Sequence, residues 1–139
     1  MYKTANISRI TFPAWLSQIL KFTLVGMLNT LIDTGIYFVL TRWFGLGSML
    51  VLAKGISFTI GMINSFIWNR NWTFNSDTII WRAATLFTFT QMVALGINAG
   101  IMALCLNFLH LSEIVSLGYA TVVAFSWNFV ITKVIVFRV

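Results

Sequence analysis

The sequence predicts an all-α membrane protein with four transmembrane helices arranged as two repeated hairpins. Of its 139 residues, 59% are hydrophobic and only 9% are charged, and the mean hydropathy is +0.90. A soluble domain carries about 25% charged residues, so this composition excludes a soluble globular protein. Four apolar stretches are each long enough to cross a bilayer, which takes roughly 20 helical residues. The two halves of the chain also resemble each other.

The four predicted spans follow one another with short connections and form one domain over residues 1–139. They cover residues 22–44, 49–69, 83–108 and 114–135. A tight turn at Gly45–Ser48 joins the first pair, and the polar stretch from Arg70 to Arg82 joins the two hairpins. A short turn with His110 and Glu113 joins the last pair. Residues Met1 to Gln18 have an apolar side, so they form either a short interfacial helix or a frayed tail.

The basic residues predict that both termini lie in the cytoplasm. Four spans place seven of the nine Lys and Arg residues on the side of the termini: Lys3, Arg9, Lys21, Arg70, Arg82, Lys133 and Arg138. Only Arg42 and Lys54 fall on the other side. Cytoplasmic segments carry an excess of Lys and Arg, so we expect a multi-pass protein of the cytoplasmic (inner) membrane. The net charge of +6 then fits anionic lipids, and no nucleic-acid motif accompanies it.

Two shifts bring the halves of the chain into register. A shift of 65 residues aligns the first spans, and a shift of 63 aligns the ends of the second spans; the aligned pairs are Phe22 and Phe87, Met27 and Met92, Asp33 and Asn98, Arg70 and Lys133, and Phe74 and Phe137. Two hairpins in the same orientation predict a pseudo-two-fold axis along the membrane normal. Because Asp33 aligns with Asn98, the halves are alike in shape and unlike in charge.

Asp33 is an acid near the middle of the first span. A carboxylate at that depth costs roughly 2.5–3.5 kcal/mol on insertion scales. We therefore expect it to bind a polar head group, a cation or a proton; the alternative is a buried acid that is protonated or paired for packing. Lys54 lies about 9 Å from the centre of its span, within reach of Asp33. The hypothesis is an Asp33–Lys54 pair, and the alternative is that Lys54 extends outward to water.

The end of the second span places a guanidinium among amides and tryptophans. Arg70 is flanked by Asn69 and Trp72, and an Arg fork suits a phosphate group. Lys133 occupies the equivalent place in the second half and adds a cation at the same depth. The alternative is an ordinary aromatic belt with a positive-inside anchor.

Amide side chains occur in all four spans: Asn29, Asn64, Gln91, Asn98 and Asn128. Singly, each is explained by interhelical hydrogen bonds. Together they could line a polar groove for a hydroxyl-rich ligand such as a sugar. Four helices can hardly enclose a whole sugar, so we expect a homo-oligomer, a dimer or larger, with a shared cleft.

The residues that enzymes and metal sites need are missing from the sequence. The single cysteine, Cys105, lies in an apolar span and cannot form a disulfide within the chain. His110 has no second His or Cys with which to bind a metal. No set of nucleophile, base and orienting group is present, so we expect a non-enzyme without a cofactor.

Two motifs resemble those of the GtrA-like family of small four-span membrane proteins. They are Phe22-x-x-Val25-Gly26-x-x-Asn29-Thr30-x-x-Asp33 and Asn64-x-Phe66-x-x-Asn69-Arg70-x-Trp72-Thr73-Phe74. The resemblance runs from Lys21 to Phe137. In the second half, the family's Asn-Arg/Lys before an aromatic residue appears as Thr132-Lys133 followed by Ile135.

The resemblance implies a flippase that moves a polyprenyl-phosphate-linked sugar, such as undecaprenyl phosphate glucose, to the outer leaflet. A membrane-bound glycosyltransferase would then use that sugar for cell-surface polysaccharide. Arg70 and Lys133 would bind the lipid phosphate, and Asp33 with the amides would bind the sugar. Two alternatives stay open: a proton-coupled exporter of the small multidrug type that uses Asp33, and a non-transporting scaffold that holds the glycosyltransferase.

Overall fold

The computed structural model describes residues 13–138, which form four long helices. They are α1 (Ala14–Arg42), α2 (Leu50–Trp68), α3 (Ile80–Asn107) and α4 (Glu113–Ile131). All four are long and apolar enough to cross a membrane, and residues 13–138 contain no strand. The predicted all-α, four-helix class is confirmed. The cytoplasmic location of both termini stays a prediction.

Helix α1 begins earlier than the predicted first span. Its first residue is Ala14, eight positions before Phe22, so residues 14–18 of the expected interfacial lead are part of this helix. The rest of that lead, residues 1–12, lies outside the described residues. Pro13 precedes the helix, where its missing N–H is not needed. After α1, Gly45 has φ 73°, a conformation that glycine adopts at little cost and that turns the chain towards α2.

Helices α2 and α4 both continue into a five-residue π-helical turn. These π-turns cover Asn69–Thr73 and Thr132–Val136. In each one the residue after the turn donates its N–H to the first carbonyl: Phe74 to Asn69, and Phe137 to Thr132, both at 2.9 Å. The positions differ by 63 residues, the same shift that aligns the sequence. The repeat therefore extends to an uncommon backbone feature.

Each hairpin is held together by a close helix–helix interface, which we call its seam. Helix α1 packs on α2 and α3 packs on α4. The face of α2 in the first seam consists of small buried residues at four-residue spacing: Ala53, Ser57, Gly61 and Ser65. At Gly61 an added Cβ would lie 2.8 Å from Asn29 Oδ1. Small side chains thus let α1 approach closely, as is common between membrane helices.

An aromatic core joins the two hairpins and shows their pseudo-two-fold relation. Phe74 and Phe137 are equivalent residues, and their ring centroids lie 5.4 Å apart. Equivalent pairs around them have nearly equal centroid distances: 6.0 Å for Phe22–Phe74 and 6.2 Å for Phe87–Phe137, and 5.5 Å for both Phe22–Phe129 and Phe66–Phe87. The axis therefore passes between Phe74 and Phe137, and the predicted arrangement of two repeated hairpins is confirmed.

The two ends of the bundle differ in packing. The π-turn end contains the aromatic core, both π-turns and the beginnings of α1 and α3. The loop end contains the connections at residues 43–49 and 108–112. Large apolar side chains towards the loop end, such as Leu31, Val51 and Ile114, are more than 70% exposed. In a membrane these side chains would contact lipid or another protein chain.

Candidate functional site

Asp33 and Lys54 form an ion pair across the first seam. Lys54 Nζ lies 2.5 Å from Asp33 Oδ2, so the pairing predicted from the sequence is confirmed. The two residues come from α1 and α2, and the long lysine side chain spans the difference in depth. Because a partner neutralises the acid, its insertion penalty is largely offset.

Ser57 is the third member of this cluster and was not predicted from the sequence. Its hydroxyl is fully buried and donates a 2.6 Å hydrogen bond to Asp33 Oδ1. Both carboxylate oxygens therefore have a donor. The spacing of Ala53, Ser57, Gly61 and Ser65 could have revealed that Ser57 shares a face with a close helix contact.

The two charged groups of the pair differ in accessibility. The side chain of Lys54 is 56% exposed, whereas that of Asp33 is 17% exposed. An ammonium group has three N–H donors, and Asp33 accepts one of them. The ring of Tyr37 lies 6.0 Å from Nζ and contributes a weak cation–π contact. Lys54 can thus hold Asp33 and still present donors to a ligand.

Asn29 and Asn64 continue the polar line of the first seam towards the π-turn end. Asn29 lies one turn from Asp33 and faces Gly61, and Asn64 follows Gly61 on α2. The atoms Asn29 Oδ1 and Asn64 Nδ2 are buried without a hydrogen-bond partner among residues 13–138. An acceptor and a donor are therefore both available to a guest that carries hydroxyl groups.

The π-turn of the first hairpin contains Asn69 and Arg70. Asn69 is buried and donates to Ser65 Oγ at 3.2 Å, while its Oδ1 has no partner within the described chain. Arg70 donates through Nη2 to the carbonyl of Thr78 at 2.9 Å, and its buried Nε is without a partner there as well. The guanidinium is therefore fixed in place with donor capacity left over.

The same turn contains a further unsatisfied atom. Thr73 Oγ1 is buried and makes no hydrogen bond to residues 13–138, and the same holds for Gln18 Oε1 on α1. Three of the six buried side-chain atoms without a partner in that part of the chain thus belong to this π-turn. Such a concentration is unusual, since buried polar groups are normally satisfied. These atoms therefore have hydrogen-bonding capacity left for a polar ligand.

Lys21 and Trp72 add a second cation and an aromatic surface beside Arg70. Lys21 Nζ donates to the carbonyl of Trp72 at 3.2 Å and lies 5.3 Å from the centre of its ring. Trp72 also packs edge-on against Trp68. Trp72 was predicted as a site residue from the sequence, whereas Lys21 was predicted only as a cytoplasmic positive charge. No spacing rule connects residues 51 positions apart.

In the second hairpin, two of the amides bond to each other. Asn128 donates to Gln91 Oε1 at 2.9 Å across the α3–α4 seam, and Thr132 donates to Asn128 Oδ1 at 3.3 Å. For this pair, interhelical hydrogen bonding is the arrangement that the structure shows. Asn98 is half-buried in α3, and Lys133 occupies the same π-turn position as Arg70. The five amides thus lie in two groups, one along each hairpin.

The positions equivalent to the ion-pair cluster carry no charge. Where the first hairpin has Asp33, Lys54 and Ser57, the second has Asn98, Leu117 and Ala120. Where the first has the unsatisfied Gln18 and Thr73, the second has Ala83 and Val136. The polar sites of residues 13–138 are therefore concentrated on the first hairpin. They are the cationic cluster of Lys21 and Arg70 at the π-turn end and the ion pair of Asp33 and Lys54 towards the loop end.

Comparisons with known proteins agree with this architecture. The chain is 40% identical over 65 residues to the uncharacterized membrane protein YngA of Bacillus subtilis (strain 168). That match covers 47% of this chain and 42% of the relative, so the chain spans less than half the length of the curated relative it matches. The sequence profile of the GtrA/DPMS transmembrane domain matches residues 21–137, which include both hairpins and both clusters. The chain therefore belongs to the GtrA/DPMS transmembrane-domain family.

Proposed function

We propose that this protein translocates a polyprenyl-phosphate-linked sugar, such as undecaprenyl phosphate glucose, from the cytoplasmic to the outer leaflet. Membership of the GtrA/DPMS family supports a role in lipid-linked sugar translocation in general. The polar line along the first seam supports the more specific assignment. It connects the cationic cluster at the π-turn end with the ion pair towards the loop end.

The single observation that carries the proposal is the set of unsatisfied polar atoms inside this apolar helix pair. A sugar phosphate that enters hydrocarbon loses hydrogen bonds to water, and each unreplaced bond costs several kcal/mol. Asn29 Oδ1, Asn64 Nδ2 and Asn69 Oδ1 are buried and unpartnered within residues 13–138. They supply hydrogen-bond acceptors and donors at successive depths of the bundle, as a lipid-linked sugar with many hydroxyl groups requires.

In this mechanism Arg70 binds the lipid phosphate at the π-turn end, and Lys133 assists from the equivalent turn. Thr78 holds the Arg70 guanidinium through Nη2, so the remaining N–H groups are oriented before the phosphate arrives. Lys21 lies beside Trp72 in the same cluster and adds positive charge. Asp33 and the amides then accept hydrogen bonds from the sugar while the prenyl chain stays in lipid. The residues act as a non-catalytic carrier.

A liposome assay tests the proposal. The full chain is reconstituted in phosphatidylcholine vesicles that contain a fluorescent polyprenyl phosphate glucose, and membrane-impermeant periodate reports which sugars face outward. We expect the protein to speed the movement of inward-facing labelled lipid to the outer leaflet. Arg70→Ala should slow this flipping about tenfold, the effect of one charge-assisted contact. Flipping no faster than in protein-free vesicles would overturn the proposal.

Arg82→Ala is the matched control for this assay. Arg82 lies in the first turn of α3 at the same end of the bundle, but its side chain is exposed and outside the cluster. We expect the Arg82→Ala variant to flip the labelled lipid at the same rate as the unchanged protein. An equal loss in both variants would mean that Arg70 acts only through the overall charge of this surface.

The same preparations separate the two alternatives that the sequence left open. A proton-coupled exporter would move aromatic cations in response to a pH gradient and ignore the lipid-linked sugar. A scaffold would co-purify with a glycosyltransferase, retain it in Asp33→Asn and Arg70→Ala, and flip nothing. The Asp33 carboxylate already has an internal cation in Lys54, which favours the flippase over the exporter. The homo-oligomer expected from the sequence stays a prediction.

A further inference from the structure

The geometry points to a second lipid-phosphate site at the loop end of the first hairpin, formed by Lys54 and Arg42. We propose that it binds the phosphate of a single-chain isoprenoid lipid on the side of the membrane opposite to the π-turns. The inference rests on the proposed function and gives it a release site. Its ligand would pass from Arg70 at one end of the seam to Lys54 and Arg42 at the other.

Two adjoining cavities shape this site. The smaller, of about 370 Å³, lies between the end of α1 and the following turn and is lined by Tyr37, Thr41 and Arg42 among others. The larger, of about 1070 Å³, runs along α2 and is lined mainly by apolar side chains such as Val51, Ile56 and Ile60. Leu50 lines both cavities. The hollow that Arg42 lines thus adjoins an apolar groove.

The charges around the smaller cavity, the hollow, favour an anion there. Arg42 is the last residue of α1 and lines the hollow. Lys54 Nζ lies 6.0 Å from the ring of Tyr37, which lines the same hollow. Asp33 is the negative charge beside these two cations, and it already accepts hydrogen bonds from both Lys54 and Ser57. One net positive charge is therefore available to a phosphate group.

The ion pair can release Lys54 at reduced cost. Ser57 is buried and hydrogen-bonded to Asp33 Oδ1, so the carboxylate keeps a donor when the ammonium turns away. The Lys54 side chain is 56% exposed and lies four residues from the start of α2, about 6 Å along the helix. An incoming phosphate thus competes with Asp33 for an accessible cation, and Asp33 is the partner that it displaces.

Charge and apolar surface together point to one occupant. A hollow with net positive charge beside an apolar groove suits a phosphate on an isoprenoid chain, the lipid that the proposed function already names. A glycerophospholipid brings two acyl chains to each phosphate. The apolar lining of the larger cavity can bury an isoprenoid chain, which is stabilised by roughly 0.8 kcal/mol for each buried CH₂ group. The exposed apolar side chains of α2 thereby gain a partner.

A binding experiment with a short probe tests the inference. The full chain in phosphatidylcholine nanodiscs is titrated with citronellyl phosphate, a ten-carbon isoprenoid monophosphate, and the Kd is measured by calorimetry. We expect Asp33→Asn to tighten binding severalfold, because it removes the internal competitor for Lys54. The double variant Asp33→Asn/Lys54→Met should bind about tenfold more weakly than Asp33→Asn, and Arg42→Gln should also weaken binding.

The double variant is used because Lys54→Met alone would leave Asp33 without its cation and could unfold the seam. Arg82→Gln is the matched control, since it removes a positive charge at the other end of the bundle and should leave the Kd unchanged. Citronellol and inorganic phosphate, each lacking one half of the probe, should bind at least tenfold more weakly. Dioleoyl phosphatidic acid, with two chains, should not displace the probe at an equal mole fraction.

Three results would overturn the inference. They are weaker binding in Asp33→Asn, an unchanged Kd when Lys54→Met is added to Asp33→Asn, and equal displacement by phosphatidic acid. The flippase proposal is tested separately by the liposome assay. Flipping with an unchanged Kd in the double variant would reject this site alone, whereas Lys54-dependent binding without flipping would reject the flippase alone.

Discussion

The two hairpins share one backbone design and differ in what lies along their seams. Both have a long helix, a turn and a second helix that ends in a π-turn, and both contribute equivalent phenylalanines to one aromatic core. In the first hairpin the seam contains an ion pair and unsatisfied amides. In the second, Asn128 donates to Gln91, and the positions equivalent to the ion pair carry no charge.

This difference shows that the repeat preserves the packing of the hairpins but not the polar and charged side chains along their seams. The aromatic core needs both halves, because its rings pack across the pseudo-two-fold axis between Phe74 and Phe137. A polar route across the membrane needs only one seam, and every additional buried polar group costs stability. On the function proposed above, the first hairpin would contain the transport route, and the second would support it and contribute Lys133.

The largest expected effect comes from removing one partner of the ion pair. Lys54→Met leaves the Asp33 carboxylate without its cation inside the bilayer, and breaking such pairs typically costs about 3–5 kcal/mol. The equivalent change in the second hairpin, Leu117→Met, swaps two apolar side chains of similar size and should cost less than about 1.5 kcal/mol. Unfolding by SDS titration of the micelle-bound protein, followed by circular dichroism, measures both.

The double variant Asp33→Asn/Lys54→Met serves as the control for that comparison. Removing both charges should recover most of the lost stability, because neither group is then left without a partner. Stabilities that add as the sum of the single changes would contradict an energetic coupling between the two side chains.

A charge transplant tests whether the seams are structurally interchangeable. Asn98→Asp alone should destabilise the second hairpin by roughly 2.5–3.5 kcal/mol, the insertion cost of an unpaired acid at that depth. Adding Leu117→Lys at the position equivalent to Lys54 should restore at least half of that loss. SDS titration of the single and double variants gives the coupling energy. No recovery would mean that the second seam is too narrow or too apolar for an ion pair.

The sequence was sufficient for the fold because the signals that specify it are local or periodic. Apolar length defines four spans, and the shifts of 65 and 63 residues revealed the hairpin repeat. The pairing of Asp33 with Lys54 also followed from depth along two antiparallel helices. The start of α1 at Ala14 was harder to predict, because residues 14–21 mix polar and apolar side chains and Pro13 is the main boundary signal.

The missed parts of the site depend on how two helices face each other. Ser57 joins the ion pair only because the small-residue face of α2 is turned towards α1. Lys21 reaches Trp72 because the first π-turn packs against the beginning of α1. A single helix pattern predicts which residues share a face, but not which neighbour that face meets. For the same reason the sequence could not show that Gln91 and Asn128 bond to each other.

The close approach at Gly61 gives a smaller, steric contrast. In Gly61→Ala the new Cβ would lie 2.8 Å from Asn29 Oδ1 and 3.4 Å from Asp33 Cβ, so the Asn29 amide has to move. We expect a loss of about 1 kcal/mol, the lower end of overpacking costs. Gly118→Ala on α4 meets no atom within 4 Å and should be neutral or stabilising by up to about 1 kcal/mol. Equal melting temperatures for the two variants would contradict the tight contact.

The smallest expected effect concerns the amide pair of the second hairpin. Asn128→Ala removes the bond to Gln91, and interhelical hydrogen bonds in membranes are worth about 0.6 kcal/mol on average. If the second hairpin only supports the first, flipping of polyprenyl phosphate glucose should stay within about twofold of the unchanged protein. Asn64→Ala breaks no hydrogen bond of Asn64 Nδ2, so it should leave stability nearly unchanged and yet slow flipping. The reverse pattern, slow flipping in Asn128→Ala and normal flipping in Asn64→Ala, would place the route along the second seam instead.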